Sequence, residues 1–154
     1  MLNPEELDRV RGVLYLSGLR GDDIDDAAQE VQLRVLERAP AGLRNRAAWA
    51  CAVAANLARD WLRRRGRWQA AEDVLRRKPV PLTSDPDLAL ANAVAVGLRR
   101  LDSDLRAVLV LRFYADLPVR DIAQMLDVLE GTVKSRLHRA TSAMRELLPR
   151  ETVL

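Results

Sequence analysis

Residues 117–148, LPVRDIAQMLDVLEGTVKSRLHRATSAMRELL, read as two helices around a four-residue turn. Counting about 100° per residue from Gly131, the second helix gathers Val133, Leu137, Ala140, Met144 and Leu148 into one apolar stripe. Its opposite face carries Ser135, His138 and Ser142, flanked by Lys134, Arg139 and Arg145, with no carboxylate between Gly131 and Arg145. The apolar back holds the helix on its own domain, while hydroxyl, imidazole and cationic groups point outward toward phosphates and base edges. The shorter helix, Val119 to Leu126, offers Ile122 and Met125 or Leu126 as the packing face that a helix-turn-helix requires. An ordinary amphipathic hairpin with a solvated basic face is the competing reading, and the outward chemistry favours DNA.

Working outward, almost every periodic segment has helical spacing and none alternates with period two for long enough to argue for a sheet. The expected fold is therefore all-α. With 154 residues, 49% apolar and 31% charged, the chain has enough core material for a globular protein and is not disordered throughout. Residues 76–88, RRKPVPLTSDPDL, bring three prolines into thirteen positions and disfavour continuous helix. The expectation is two small helical domains joined by a flexible linker: residues 1–70, a linker over 71–91, and residues 92–154.

Nothing near the N terminus resembles a signal peptide, because Glu5, Glu6 and Asp8 stand where a basic region should lead into an apolar one. The longest apolar run, 47–55, is too short to span a bilayer, so the expectation is a cytoplasmic protein with no membrane partner. Cys51 is the single cysteine, which leaves no internal disulfide and no zinc cluster of the His/Cys kind. Net charge is only +3, but it is segregated: residues 1–38 hold nine acids against five bases, whereas residues 44–68 hold seven arginines against Asp60 alone. Segments so different in charge meet different partners.

In the helix expected from Asp23 to Arg38, Ile24, Ala28, Val31 and Val35 form the packing stripe, and Asp26, Gln29, Glu30 and Leu33 fall opposite. An exposed leucine between carboxylates and an amide has the make-up of a docking face for basic helices, set against a plain solvated face. The helix expected from Ala47 to Arg65 packs through Ala50, Val53, Ala54, Leu57 and Trp61, while Trp49, Asn56, Arg59, Asp60 and Arg63 project from another sector. Arginines beside an amide and a ring make a platform for unpaired bases, extended by Arg67 and Trp68 if the helix continues. Trp49 alone reads more readily as core.

Together these segments resemble the sigma-70 family of bacterial transcription initiation factors, in its compact extracytoplasmic-function group (group IV), which keeps regions 2 and 4. DDAAQEVQLRVLER (25–38) is similar to region 2.2, AAWACAVAANLARDWLRRRGR (47–67) to regions 2.3 and 2.4, and LDSDLRAVLVLRFYADLPVRDIAQMLDVLEGTVKSRLHRA (101–140) to region 4. The resemblance implies core RNA polymerase as a partner, through its beta subunit and the beta-prime clamp helices, with Asp26, Gln29, Glu30 and Leu33 gripping the latter. It implies that Asn45, Arg46, Trp49, Asn56, Arg59 and Arg63 handle the melted minus-10 strand. It likewise assigns Arg112, Lys134, Ser135, Arg136, His138 and Arg139 to the minus-35 duplex, and adds an anti-sigma factor as a further candidate partner.

Departures from the family pattern accompany the matches. Before the recognition helix the turn reads Leu126, Asp127, Val128, Leu129 in place of Leu-Gly-Val-Ser. Asp accepts a left-handed backbone less readily than Gly, and Leu129 removes an N-cap hydroxyl worth about 1 kcal/mol. Gln32, Cys51 and Ala52 replace aromatic or arginine residues common in the family, and the loop between 38 and 49 is short. An enzyme is the weakest reading, since His138 is the single histidine and no phosphate-cradling Gly-rich loop is present; no cofactor, metal or catalytic residue is expected. The alternative function is a stand-alone helix-turn-helix regulator with an N-terminal dimerisation or sensing domain.

Overall fold

The computed structural model describes the backbone of residues 1–43, 45–75 and 86–148, and their side chains outside 65–92. Every regular element among the described residues is helical, as the periodicity requires. Helix α1 (Pro4–Leu16) opens on a capping box: the Glu6 amide donates to Asn3 Oδ1 at 2.8 Å and the Asn3 amide donates to Glu6 Oε2 at 2.9 Å. The proline at its first position costs no intrahelical bond. Helix α2 (Asp22–Arg38) places Asp22, Asp23 and Asp25 in its first turn and Arg38 in its last, each matched to the helix dipole.

Helix α3 (Arg46–Leu75) starts where the Asn45 side chain accepts a hydrogen bond from the Ala48 amide at 3.0 Å. It runs well past Arg65, and α4 (Pro86–Arg100) begins on a proline. Helical backbone therefore enters the span read as linker from both sides, while residues 76–85 lie outside the described residues. Helix α5 (Ser103–Leu109) passes directly into a π-helical turn (Val110–Tyr114), followed by α6 (Val119–Leu126) and α7 (Glu130–Leu147).

In the N-terminal half, α3 turns a face of small residues inward: Ala50, Cys51, Ala54, Ala55 and Ala58 are buried. Small side chains let the three helix axes approach, and Val10, Val13 and Leu14 of α1 with Val31 and Val35 of α2 fill the space between them. In the C-terminal half, Val108, Leu111, Ile122, Val133 and Ala140 are sealed between α5, the π turn, α6 and α7. The two halves then meet. Helix α3 packs against α5 and α6, α1 packs against the π turn, and the buried apolar residues form a single connected cluster.

Candidate nucleic-acid interface

The α6–α7 unit packs as its sequence predicts, with three residues, 127–129, between the helices in place of the expected four-residue turn. Ile122, Leu126, Val133, Ala140 and Met144 are buried, with Met125 and Leu137 packed at the margin. Lys134, Ser135, His138, Arg139, Ser142 and Arg145 are all exposed on the far side of α7. Between the helices Asp127 adopts the left-handed conformation at φ 56, ψ 49, and the Val128 amide donates back to the Ala123 carbonyl at 3.0 Å. That six-to-one bond is the one a Schellman turn uses, so the aspartate occupies the place of the usual glycine. Leu129 stands at the N-cap of α7 with no side-chain cap bond and is 78% exposed. Arg112 lies on the π turn, 3.8 Å from Asp116 and 5.8 Å from the centre of the Phe113 ring.

On α2 the four singled-out residues share one outward face. Asp26 and Gln29 are exposed, Leu33 is 51% exposed, and Glu30 is half-buried with Arg34 at 3.3 Å. Leu36, 60% exposed, widens the apolar part of this face. One turn beyond Leu33, it is a second leucine that three-residue spacing could have brought to notice.

The residues assigned to unpaired DNA fare differently. Asn45 caps α3, and Arg46 is held by Glu6 at 2.8 Å; this pair, after the Asn3 amide, keeps the Glu6 carboxyl below its ordinary range. Trp49 is half-buried against the core. Arg63 is exposed, Asn56 is half-buried, and Arg59 is half-buried where α5 meets α3. Arg59 Nη1 donates to Asp104 Oδ1 at 3.0 Å; Arg63 Nη2 is 3.8 Å from the same oxygen, and Arg136 Nη2 is 4.0 Å from Oδ2. Two arginines of the α3 face and Arg136 of α7 thus meet at one carboxylate, while Lys134, Arg139 and Arg145 stay exposed. Arg67 and Trp68 lie on α3 but outside the described side chains.

Arg106 is the second residue that the sequence reading passes over. Only 8% exposed, it donates to the carbonyls of Leu98 (2.7 Å), Leu101 (2.7 Å), Arg99 (3.2 Å) and, across the joint between the halves, Ser17 (2.8 Å). Ser17 caps the C terminus of α1, and Leu98 and Arg99 end α4. The guanidinium thus rests on the negative ends of two helix dipoles and satisfies carbonyls that helices leave unpaired. Burial lowers its pKa and Asp102 opposes that shift. Its signal in the sequence was a lone cation running into the apolar stretch AVLVL. Cys51, buried among alanines, has its thiol pushed up to about 11 by desolvation, so at neutral pH it is a protonated packing residue. Among the described residues no group of His, Cys, Asp or Glu is arranged to hold a metal ion, and no helix is long and apolar enough to cross a membrane.

A helix-turn-helix with an exposed cationic face, tied to a three-helix unit with an outward acidic and apolar face, has the make-up of a DNA-binding protein. Comparison with known proteins narrows the class. Residues 5–75 match the family described as Sigma-70 region 2, and residues 92–144 match Sigma-70, region 4. The ECF RNA polymerase sigma factor SigL of Mycobacterium tuberculosis is 33% identical over 140 residues, covering 85% of this chain and 78% of the relative. SigM of the same organism is 35% identical over 140 residues, covering 86% and 68%. The chain belongs to the ECF RNA polymerase sigma factors of the sigma-70 family. The solved structure of the sigma factor RpoE in complex with the anti-sigma factor NepR from Bartonella quintana shares the fold, with a TM-score of 0.71 at 23% identity over 93% of this chain and 91% of that one.

Proposed function

We propose that this chain binds core RNA polymerase through α2, captures the melted minus-10 strand through α3, and reads the minus-35 duplex through α7. The observation that carries the proposal is the segregation of surfaces. An acidic and apolar face (Asp26, Gln29, Glu30, Leu33) points outward from α2, and a carboxylate-free cationic face (Lys134, Ser135, His138, Arg139) points outward from α7. Basic helices of the polymerase complement the first, and phosphates with base edges complement the second. Residues 1–70 form the polymerase and minus-10 module, 92–154 the minus-35 module, and 71–91 the connection between them.

In the minus-10 module Asn56, Arg59 and Arg63 supply an amide and two guanidiniums to an unpaired strand. Asn45 and Arg46 act at the rim, and Trp49 supports the helix from the core. In the minus-35 module the exposed Arg139 supplies a guanidinium fork for guanine, Ser135 and His138 read base edges, and Arg112, Lys134 and Arg136 serve the backbone. The chain performs no chemistry of its own; it acts in the cytoplasm with polymerase, promoter DNA and, for control, an anti-sigma factor. The test is reconstitution with core polymerase: co-elution and promoter-dependent runoff transcription are expected. Absence of both, with sequence-specific duplex binding by the chain alone, would replace this reading with a stand-alone regulator.

A further inference from the structure

At the joint between the halves one carboxylate faces three guanidiniums. Asp104 opens α5, and its oxygens lie 3.0 Å from Arg59, 3.8 Å from Arg63 and 4.0 Å from Arg136. Two of these arginines belong to the proposed minus-10 face and the third to α7, so a single acid spans both DNA-binding modules. The side chains of Arg59 and Arg136 are left only 20% and 19% exposed. A carboxylate held by arginine forks presents the oxygens that a DNA phosphate would present.

The remaining joint is poorly satisfied. Ser17 Oγ, Asn56 Oδ1, Arg59 Nε and Arg136 Nη1 are all buried without a hydrogen-bond partner, and buried polar atoms in that condition are costly. Among the described residues, the contacts that cross it besides the Asp104 cluster include Arg106 to the Ser17 carbonyl, Arg9 to the Ala115 carbonyl at 3.5 Å, the Arg99 guanidinium 5.2 Å from the centre of the Tyr15 ring, and Tyr114 laid on α1 where Gly12 has no side chain to obstruct it. When the joint parts, Arg106 keeps its three carbonyls in the C-terminal half. Parting also exposes apolar surface, because the buried residues of the two halves form one connected cluster. The polymerase-docking face of α2 stays exposed throughout.

We propose that Asp104 is an intramolecular stand-in for promoter phosphate, which closes the free chain over its minus-10 face until polymerase binding parts the two halves. The closed state leaves α2 open for docking and withholds Arg59 from unpaired DNA. This inference rests on the minus-10 assignment above. The device gates strand capture more than duplex reading, because Lys134, Ser135, His138 and Arg139 remain exposed in the closed state and Arg136 alone of the α7 set is engaged.

The experiment measures binding of a fluorescein-labelled 12-nucleotide single-stranded DNA to the free full-length chain, together with its radius of gyration by small-angle X-ray scattering. Asp104→Ala and Asp104→Asn are compared with wild type and with Asp8→Ala, which removes an exposed acid that is not part of the Asp104 cluster. Both Asp104 variants are expected to bind about fivefold more tightly and to be more expanded, with the gain shrinking at 1 M salt as screening weakens the wild-type pairs. Asp104 variants indistinguishable from Asp8→Ala in both affinity and size would overturn the proposal. A separate failure is recognisable: if the Asp104 variants expand but Arg59→Ala leaves strand opening by the assembled holoenzyme unchanged, the closure stands and the minus-10 assignment falls.

Discussion

Replacing Arg106 with alanine should destabilise the whole chain by about 3 kcal/mol. The guanidinium makes three short bonds, to the carbonyls of Leu98, Leu101 and Ser17 at 2.7–2.8 Å, and a longer one to Arg99 at 3.2 Å. Hydrogen bonds from a charged donor contribute about 1.5–3 kcal/mol each, but alanine also releases the desolvation cost of burying the cation. That cost offsets part of the gain and leaves roughly 1 kcal/mol net for each short bond. Arg106→Lys should recover less than half, because a single ammonium lacks the planar fork that reaches carbonyls on two helix ends. Urea unfolding followed by far-ultraviolet circular dichroism measures both. A loss below about 1 kcal/mol for alanine, or full recovery by lysine, would refute the view that this cation ties α1 to α4 through their terminal carbonyls.

Leu129→Ser should stabilise the chain by about 1 kcal/mol, because Leu129 is 78% exposed at an uncapped N-cap and removing it forfeits no core contact; an unchanged thermal midpoint contradicts this. For Cys51 the folded thiol holds its proton up to about 11 against an ordinary 9.0, whereas the unfolded chain releases it earlier. Stability on this account is intact below about pH 9 and falls by about 1.4 kcal/mol per unit toward pH 11; urea titrations should show a flatter alkaline limb in Cys51→Ala. Arg139→Ala in the holoenzyme should cost about 1–3 kcal/mol at one minus-35 base pair, read by competition among promoter variants. A uniform loss over all sequences assigns Arg139 to phosphate instead. Charge reversal of Asp26 and Glu30 to Lys should weaken core polymerase binding about tenfold without loss of helix content, since the pair Glu30 gives up among the described residues is a part-exposed one with Arg34, one turn along the same helix.

Much of this architecture was legible because helices declare their faces by period. Val119–Leu126 is bounded in the structure as its pattern predicts, and the outward face read on α7 is exposed, whereas Arg136, assigned there by resemblance, is half-buried. The α2 face likewise follows from where Val31 and Val35 must be buried. What periodicity does not encode is how two helical units meet. Arg59 and Asp104 are 45 residues apart in sequence, and nothing local to either announces the other. Arg106 is paired with carbonyls, which carry no residue-type signal at all, at helix ends that only the tertiary fold brings together. Asn45 and Arg46 were read for their chemistry toward DNA, while the structure also gives them a helix cap and an ion pair.

The central claim is that this chain lends polymerase a surface for separated promoter strands. It is tested most directly with a promoter fragment, selected by the reconstituted holoenzyme, that carries 2-aminopurine at a non-template minus-10 position. Fluorescence of the unstacked base should rise with polymerase and chain together, with neither alone, and much less when Asn56 and Arg59 are replaced by alanine. An increase with polymerase alone, or one untouched by the double substitution, would contradict the account.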